Sequence, residues 1–350
     1  MYFASDNSSG VPAEVLEALS RANRGFSMPY GADDLMEGVR TSLREIFEAP
    51  EASVYLVATG TAANALALAC YCPPWAAVYC HRTAHVEEDE CNAPEFYTGG
   101  AKLVPVDGPD GRMEPERLEA ALDAAAPGGV HNTQKGMLTI TNTTEAGTVY
   151  SPGEVARLAG IARGHGLPVH MDGARFANAL VSAGCTPAEM TWKAGVDVLS
   201  FGGTKNGLMG VEAVILFDPR KAWEFELRRK RGGHLFSKHR YLSAQMAAYL
   251  ADDLWLDLAG RANAAAARLS QGIAALEGGE LRHPTQANMV FAAFPRAAHL
   301  RAREAGAAYY LWPFGQSLDG PAETPLSARL VCSWATTRED IDRFLGLLRG

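Results

Sequence analysis

A chain of 350 residues, 47% apolar and 21% charged, is long enough to bury a large core and has the composition of an ordinary globular protein. Its net charge of -8 and pI near 5.6 leave no basic footprint, which argues against nucleic acid and anionic membrane and for a small-molecule substrate. No apolar run reaches the roughly 18 residues of a spanning helix, and MYFASDNSSG lacks the basic start and apolar core of a signal peptide, so a cytoplasmic location is expected.

PAEVLEALSRAN and ADDLMEGVRTSLREIFEA carry apolar residues at helical spacing and predict two opening helices. SVYLVATGTAANALALACYC runs from a β-rich piece through Thr59-Gly60-Thr61 into an alanine-rich helix, a turn able to cradle phosphate at a helix N-terminus. AAVYCH, KLVPVD, MLTITNTT, LPVHMD, VDVLSF and EAVILF then read as short buried strands, with PERLEAALDAA and PGEVARLAGIARGHG as helices between them. This βα alternation predicts an α/β fold with a largely parallel, doubly wound sheet and ligands at the carboxyl ends of its strands. HRYLSAQMAAYLADDLWLDLAGRANAAAARLSQGIAAL reads as nearly all helical. It leads to a smaller C-terminal α/β domain built from ANMVFAAF, AYYLWPF, ARLVCSWA and REDIDRFLGLLR. The expected boundaries are an N-terminal arm over 1–15, a large domain over 16–240, and a linking helix with the small domain over 241–350.

The chemistry is concentrated in HMDGARFANA and LSFGGTKNG. An acid at one strand end, Asp172, and a lysine in a glycine-rich loop after the next, Lys205, are what pyridoxal phosphate requires: a carboxylate for the pyridinium nitrogen and an amine for an imine. Taken singly, Asp172 also reads as a helix cap, Lys205 as a surface cation and Arg175 as a helix-surface ion pair. His85, one strand after the phosphate turn, is read either as a satisfied structural histidine or as a ring stacking on the cofactor. His131 precedes MLTITNTT and is read as a loop histidine or a contact to a substrate hydroxyl. Arg329, in SARLVCSWA, has the fork geometry to grip an α-carboxylate. Cys80, His81, His85 and Cys91 fit no common zinc spacing, so no metal is expected. The six scattered cysteines read as thiols, and RRKRGGHLFSKHR reads as a solvated or subunit-facing segment.

SDNSSG, PYGAD, ATGTAAN, AHVEEDE, HMDGARFANA, GGTKNG and ARLVCSW, in this order, resemble the low-specificity threonine aldolases, which are fold-type I pyridoxal-phosphate enzymes. The resemblance implies a mostly parallel seven-stranded sheet flanked by helices. It implies retro-aldol cleavage of L-threonine, L-allo-threonine and related β-hydroxy-α-amino acids to glycine and an aldehyde. In that scheme Lys205 carries pyridoxal 5'-phosphate as an aldimine, Asp172 meets the ring nitrogen, Arg175 lies near the phenolate oxygen, and Gly60 with Thr61 binds phosphate. His85 stacks on the ring and helps position or activate a water, and His131 contacts the β-hydroxyl. Ser5 and Arg329 hold the carboxylate. Tyr30 reaches the neighbouring subunit's site, which implies a homo-oligomer, expected as a dimer of dimers with sites at subunit interfaces. Phe314 and Tyr30 are candidates for lining a pocket biased toward bulkier side chains. Ala62 departs from the TGTQAN common in that family, and Lys230, Arg231 and Lys238 leave open which basic residue touches phosphate. The alternatives are an aminotransferase or β-eliminating lyase of the same fold, or a non-catalytic relative that binds the cofactor.

Overall fold

The apolar runs between Ser53 and Leu216 assemble into one sheet in a computed structural model that describes residues 1–125 and 129–350. Its strands are β1 (Ser53–Val57), β2 (Ala76–His81), β3 (Lys102–Val106), β4 (Gln134–Thr141), β5 (Val169–Gly173), β6 (Val198–Phe201) and β7 (Glu212–Leu216), in the order β1-β7-β6-β5-β4-β2-β3. Pairings from β3 through β6 are parallel, and β7 runs antiparallel to both β6 and β1. The exception has a simple cause. The other successive strands are joined through helices, whereas β6 and β7 are joined by a short loop that closes only an antiparallel pair. That loop contains Lys205.

Strands β2, β5, β6 and β7 are buried throughout because helices cover both faces of the sheet. One face packs on Leu43, Phe47, Leu158, Phe176 and Trp255, and the other on Leu66, Leu68 and Phe225. The helix Gly60–Tyr71 belongs to the second face and is almost wholly buried, which its alanine-rich sequence permits.

The segment after the sheet is less continuous than its composition suggests. Helices Arg240–Leu250 and Leu254–Ala274 are separated by a turn in which Asp252 and Asp253 have φ of 51° and 55°. Beyond them lie β8 (Glu280–Leu281), β9 (Met289–Pro295), β10 (Tyr310–Leu311) and β11 (Pro325–Val331), an antiparallel sheet ordered β10-β11-β9-β8. Only two residues of AYYLWPF pair as strand; Pro313, which has no N–H to donate, follows shortly after. The N-terminal segment docks on this small sheet. The Phe3 N–H donates to Ala308 O, the Phe3 carbonyl accepts from Val331 N, each at 2.8 Å, and the Phe3 ring packs 5.0 Å from Phe344. This docking brings Ser5 and Asp6 to the carboxyl ends of the large sheet's strands. Among the described residues, no helix is long and apolar enough to cross a membrane, and all six cysteines are free thiols.

Candidate active site

Two cavities meet at Lys205. The inner one, about 350 Å³, is lined by the phosphate turn Ala58–Thr61, by Asn64, His85, Glu90 and Asp172, and by the lysine turn with Met209, Gly210 and Glu212. The outer one, about 480 Å³, is lined on its polar side by Ser5, His85, Glu145, Arg175 and Arg329, and on its apolar side by Phe291, Tyr310, Trp312 and Phe314. Asn7, His85 and Lys205 border both.

Asp172 stands at the carboxyl end of β5, buried, with its backbone paired to Thr141 and Ser200. Its Oδ1 accepts the Ala174 N–H at 3.0 Å and its Oδ2 accepts from Asn64 Nδ2 at 3.1 Å. The same Asn64 nitrogen donates to Glu90 Oε1 at 2.8 Å, and that oxygen lies 2.9 Å from His85 Nδ1. A chain of side chains therefore runs His85–Glu90–Asn64–Asp172 beneath the inner cavity. Burial lowers the His85 pKa, but the hydrogen bond to Glu90 overcomes this, and the imidazole holds its proton to higher pH than usual. Burial likewise raises Glu90 above the ordinary carboxylate range, and His85 offsets this only in part.

At the opposite wall Thr59 caps the helix Gly60–Tyr71, its Oγ1 accepting the Ala62 N–H at 3.2 Å. The Gly60 and Thr61 N–H groups have no partner among the described residues and open space lies beside Gly60, so two backbone donors at a helix N-terminus are left for an anion. Lys205 occupies a 3-10 turn, Thr204–Asn206, that is tightly held. Asn206 Nδ2 donates to Tyr249 Oη at 2.7 Å and to the Trp255 carbonyl at 2.8 Å, and Tyr249 Oη donates to Gly202 O at 3.2 Å. A Cβ on Gly203 would come within 2.6 Å of Val211 O, so only glycine lets this turn sit where it does.

The outer cavity is organised by charge. Arg175 is buried and donates through Nε and Nη2 to the two oxygens of buried Asp6, at 2.6 and 3.1 Å, while Asn288 Nδ2 donates to Asp6 at 3.0 Å. Burial alone raises Asp6; the Arg175 charge and hydrogen bonds outweigh it and hold the carboxyl below its ordinary range. Arg329 differs. It lies in a cross-strand row on one face of the small sheet, between Tyr310 on β10 and Phe291 on β9. Its one side-chain contact of hydrogen-bond type is Nη2 to the Met289 sulfur at 3.7 Å, and no carboxylate lies within 4.0 Å of it among the described residues. Burial and the neighbouring Arg175 lower its pKa. A half-buried guanidinium without an anion is a site for one.

Of the residues singled out in the sequence, Lys205, Asp172, His85, Gly60 and Thr61 come together around the inner cavity, and Ser5, Arg175, Arg329 and Phe314 around the outer. Arg175 borders the outer cavity rather than the inner and commits two nitrogens to Asp6, a partner the sequence did not disclose. Two residues stand apart. Tyr30 is exposed, with φ 58°, and its ring lies 5.0 Å from Lys230 Nζ, outside both cavities. His131 is exposed at the amino end of β4, whereas Asp172 aligns with Thr141 at the carboxyl end, roughly 23 Å away along an eight-residue strand. Within one chain, strand direction places His131 at the opposite edge of the sheet from Asp172. Sequence reasoning missed Asn64, Asp6, Glu212 and His283, the last of which lines the outer cavity. Asn64 alone left a signal, as a lone amide inside an apolar helix.

The sheet and the paired acid and lysine at its carboxyl edge define a fold-type I pyridoxal-phosphate enzyme. The chain matches the beta-eliminating lyase family over residues 2–295. It is 41% identical to a low specificity L-threonine aldolase of a Pseudomonas species, covering 95% of this chain and 93% of the relative. It is 40% identical to the enzyme of that name from Pseudomonas aeruginosa, covering 99% and 96%. The solved structure of Leishmania major threonine aldolase superposes with a TM-score of 0.90 at 28% identity, covering 99% of this chain and 98% of that one. The chain belongs to the beta-eliminating lyase family and, within it, to the low-specificity L-threonine aldolases.

Proposed function

We propose that this chain cleaves L-threonine, L-allo-threonine and related β-hydroxy-α-amino acids to glycine and an aldehyde, with pyridoxal 5'-phosphate bound covalently through Lys205. The observation that carries the reading is the meeting of two unlike cavities at Lys205, one with backbone donors and a buried acid, the other with a guanidinium that has no carboxylate within 4.0 Å among the described residues. The inner residues fit the cofactor. Gly60 and Thr61 N–H groups suit its phosphate, and Asp172, already held by two donors, suits a protonated ring nitrogen. When bound, the cofactor supplies the sink for the electron pair released at the substrate's α-carbon.

The chain's own residues then divide the remaining work. Arg329, with Ser5 beside it in the cavity wall, grips the α-carboxylate. Held there, the substrate presents one bond of its α-carbon, an orientation effect worth several kcal/mol of barrier. His85 borders both cavities and is the base for the β-hydroxyl proton, directly or through a water; Glu90 fixes its Nδ1 and so leaves Nε2 for that proton. Arg175, neutralised by Asp6, sets the outer wall. A role for His131 requires a second copy of the chain. Exposed Phe26, Met28 and Tyr30 lie within five residues of one another and support a homo-oligomer, read as a dimer of dimers in the cytoplasm with Tyr30 at a neighbour's site.

The test compares L-threonine with L-2-aminobutanoate, which keeps the carboxylate, amine and carbon chain but lacks the hydroxyl. The reconstituted protein is expected to release glycine from the first and to leave the second intact. A keto acid from either substrate would instead favour elimination or transamination.

A further inference from the structure

Glu212 is the one buried acid of the inner cavity that the mechanism leaves idle. It opens β7, paired in register with Val57 of β1, while its neighbour Ala213 pairs with Phe201 of β6. It thus sits where the phosphate turn after β1 and the lysine turn after β6 come together. Its Oε2 accepts the Gly203 N–H at 2.6 Å, and the next residue, Thr204, accepts the Val211 N–H at 3.2 Å through its hydroxyl. No arginine, lysine or histidine lies within 4.0 Å of it among the described residues.

We propose that Glu212 is a positioning residue that takes up one proton from solvent when the cofactor's phosphate enters, so that the loaded site holds it as a neutral acid tying the two turns together. The inference rests on the cofactor reading above. The groups that bear on this carboxyl are few. Burial raises it, Thr204 and Gly203 as donors and the Lys205 charge pull down against that, and the balance leaves it at about 7; Tyr249 faces it from the helix Arg240–Leu250. The phosphate turn contributes no titratable side chain. A phosphate dianion at Gly60 and Thr61 adds negative charge beside Glu212 and drives the proton on. The neutral acid keeps a carbonyl oxygen for the Gly203 N–H and gains a hydroxyl donor for the polar wall it lines.

The probe is pyridoxine 5'-phosphate, which carries the phosphate but lacks the aldehyde and cannot react with Lys205. Its affinity is measured from pH 6.5 to 8.5 for the wild type, Glu212→Gln and Glu212→Ala. Glu212→Gln, the isostere of the neutral acid, is expected to bind at least as tightly as the wild type. The wild type is expected to weaken relative to it by about tenfold between pH 7 and 8.5. Glu212→Ala is expected to bind more weakly than Glu212→Gln at every pH. Calorimetry of the wild type at pH 7.5 in two buffers is expected to show uptake of roughly half to one proton per ligand bound. Parallel pH curves for the wild type and Glu212→Gln would overturn the proposal, as would binding without proton uptake, a reading that needs no variant. Failure of the analogue to bind at any pH would overturn the cofactor reading itself.

Discussion

The cavity behind Lys205 is assembled from the ends of neighbouring strands, each carrying its functional residue within a few positions of a strand-to-helix turn. The cavity in front of it draws on the N-terminal segment, loops of the large sheet and the far C-terminal sheet. Its central ion pair joins residues 169 apart, its amide contact to Asp6 spans 282, and His283 meets Asp110 across 173 at 2.8 Å. The functional residues of the inner cavity are placed by local strand-to-turn geometry, with Asn64 reaching Asp172 across 108 positions, and those of the outer cavity by the tertiary fold. Cofactor chemistry and substrate grip are therefore separable by mutation.

The largest separation is expected from Lys205→Ala, which removes the amine common to both cavities. Cleavage should fall at least about a thousandfold, and the visible absorbance of the bound cofactor should disappear. Arg329→Leu should leave that absorbance intact and lower kcat/KM by about a hundredfold, the loss of a charge-assisted bidentate contact, measured by steady-state kinetics on L-threonine. If it strips the cofactor as well, the two cavities are not independent.

Asp6→Ala leaves a buried guanidinium without its anion. A loss of about 3–5 kcal/mol in denaturant unfolding is expected, well above that of an exposed ion pair. Because the folded-state pKa of Asp6 is depressed, its contribution is present at neutral pH and above its unfolded value. It should vanish as pH falls through the folded value, so wild type and variant converge in acid. The smallest effect is expected from Glu90→Gln. Its carboxylate holds the His85 pKa up, so the acid limb of the activity profile should move to lower pH. The stability that the His85–Glu90 contact contributes through this shift is present below the unfolded histidine pKa and is lost as pH rises through the folded one.

The same division explains what was legible in the sequence. Thr59-Gly60-Thr61, Asp172 and Lys205 each sit in a strand–turn pattern whose residue types have few other uses in combination, and the seven strands follow from apolar runs bounded by turns. Arg329 was legible as a residue type, but not the row Tyr310–Arg329–Phe291, since register between β9, β10 and β11 is set by packing. Asp6 reads as part of a polar N-terminal segment until Phe3 docks that segment on the small sheet. Glu212 looks like an ordinary strand-entry acid until the β6–β7 pairing folds it back against Gly203. For His131, proximity in sequence to a functional strand does not say which end of it the residue occupies.

Retro-aldol cleavage is tested most directly by the mass balance of one reaction. Purified protein reconstituted with pyridoxal 5'-phosphate and given L-threonine is predicted to form glycine and acetaldehyde in equal amounts, with none from Lys205→Ala. Ammonia and 2-oxobutanoate in place of that pair would contradict it, since they require loss of the α-proton rather than cleavage of the Cα–Cβ bond.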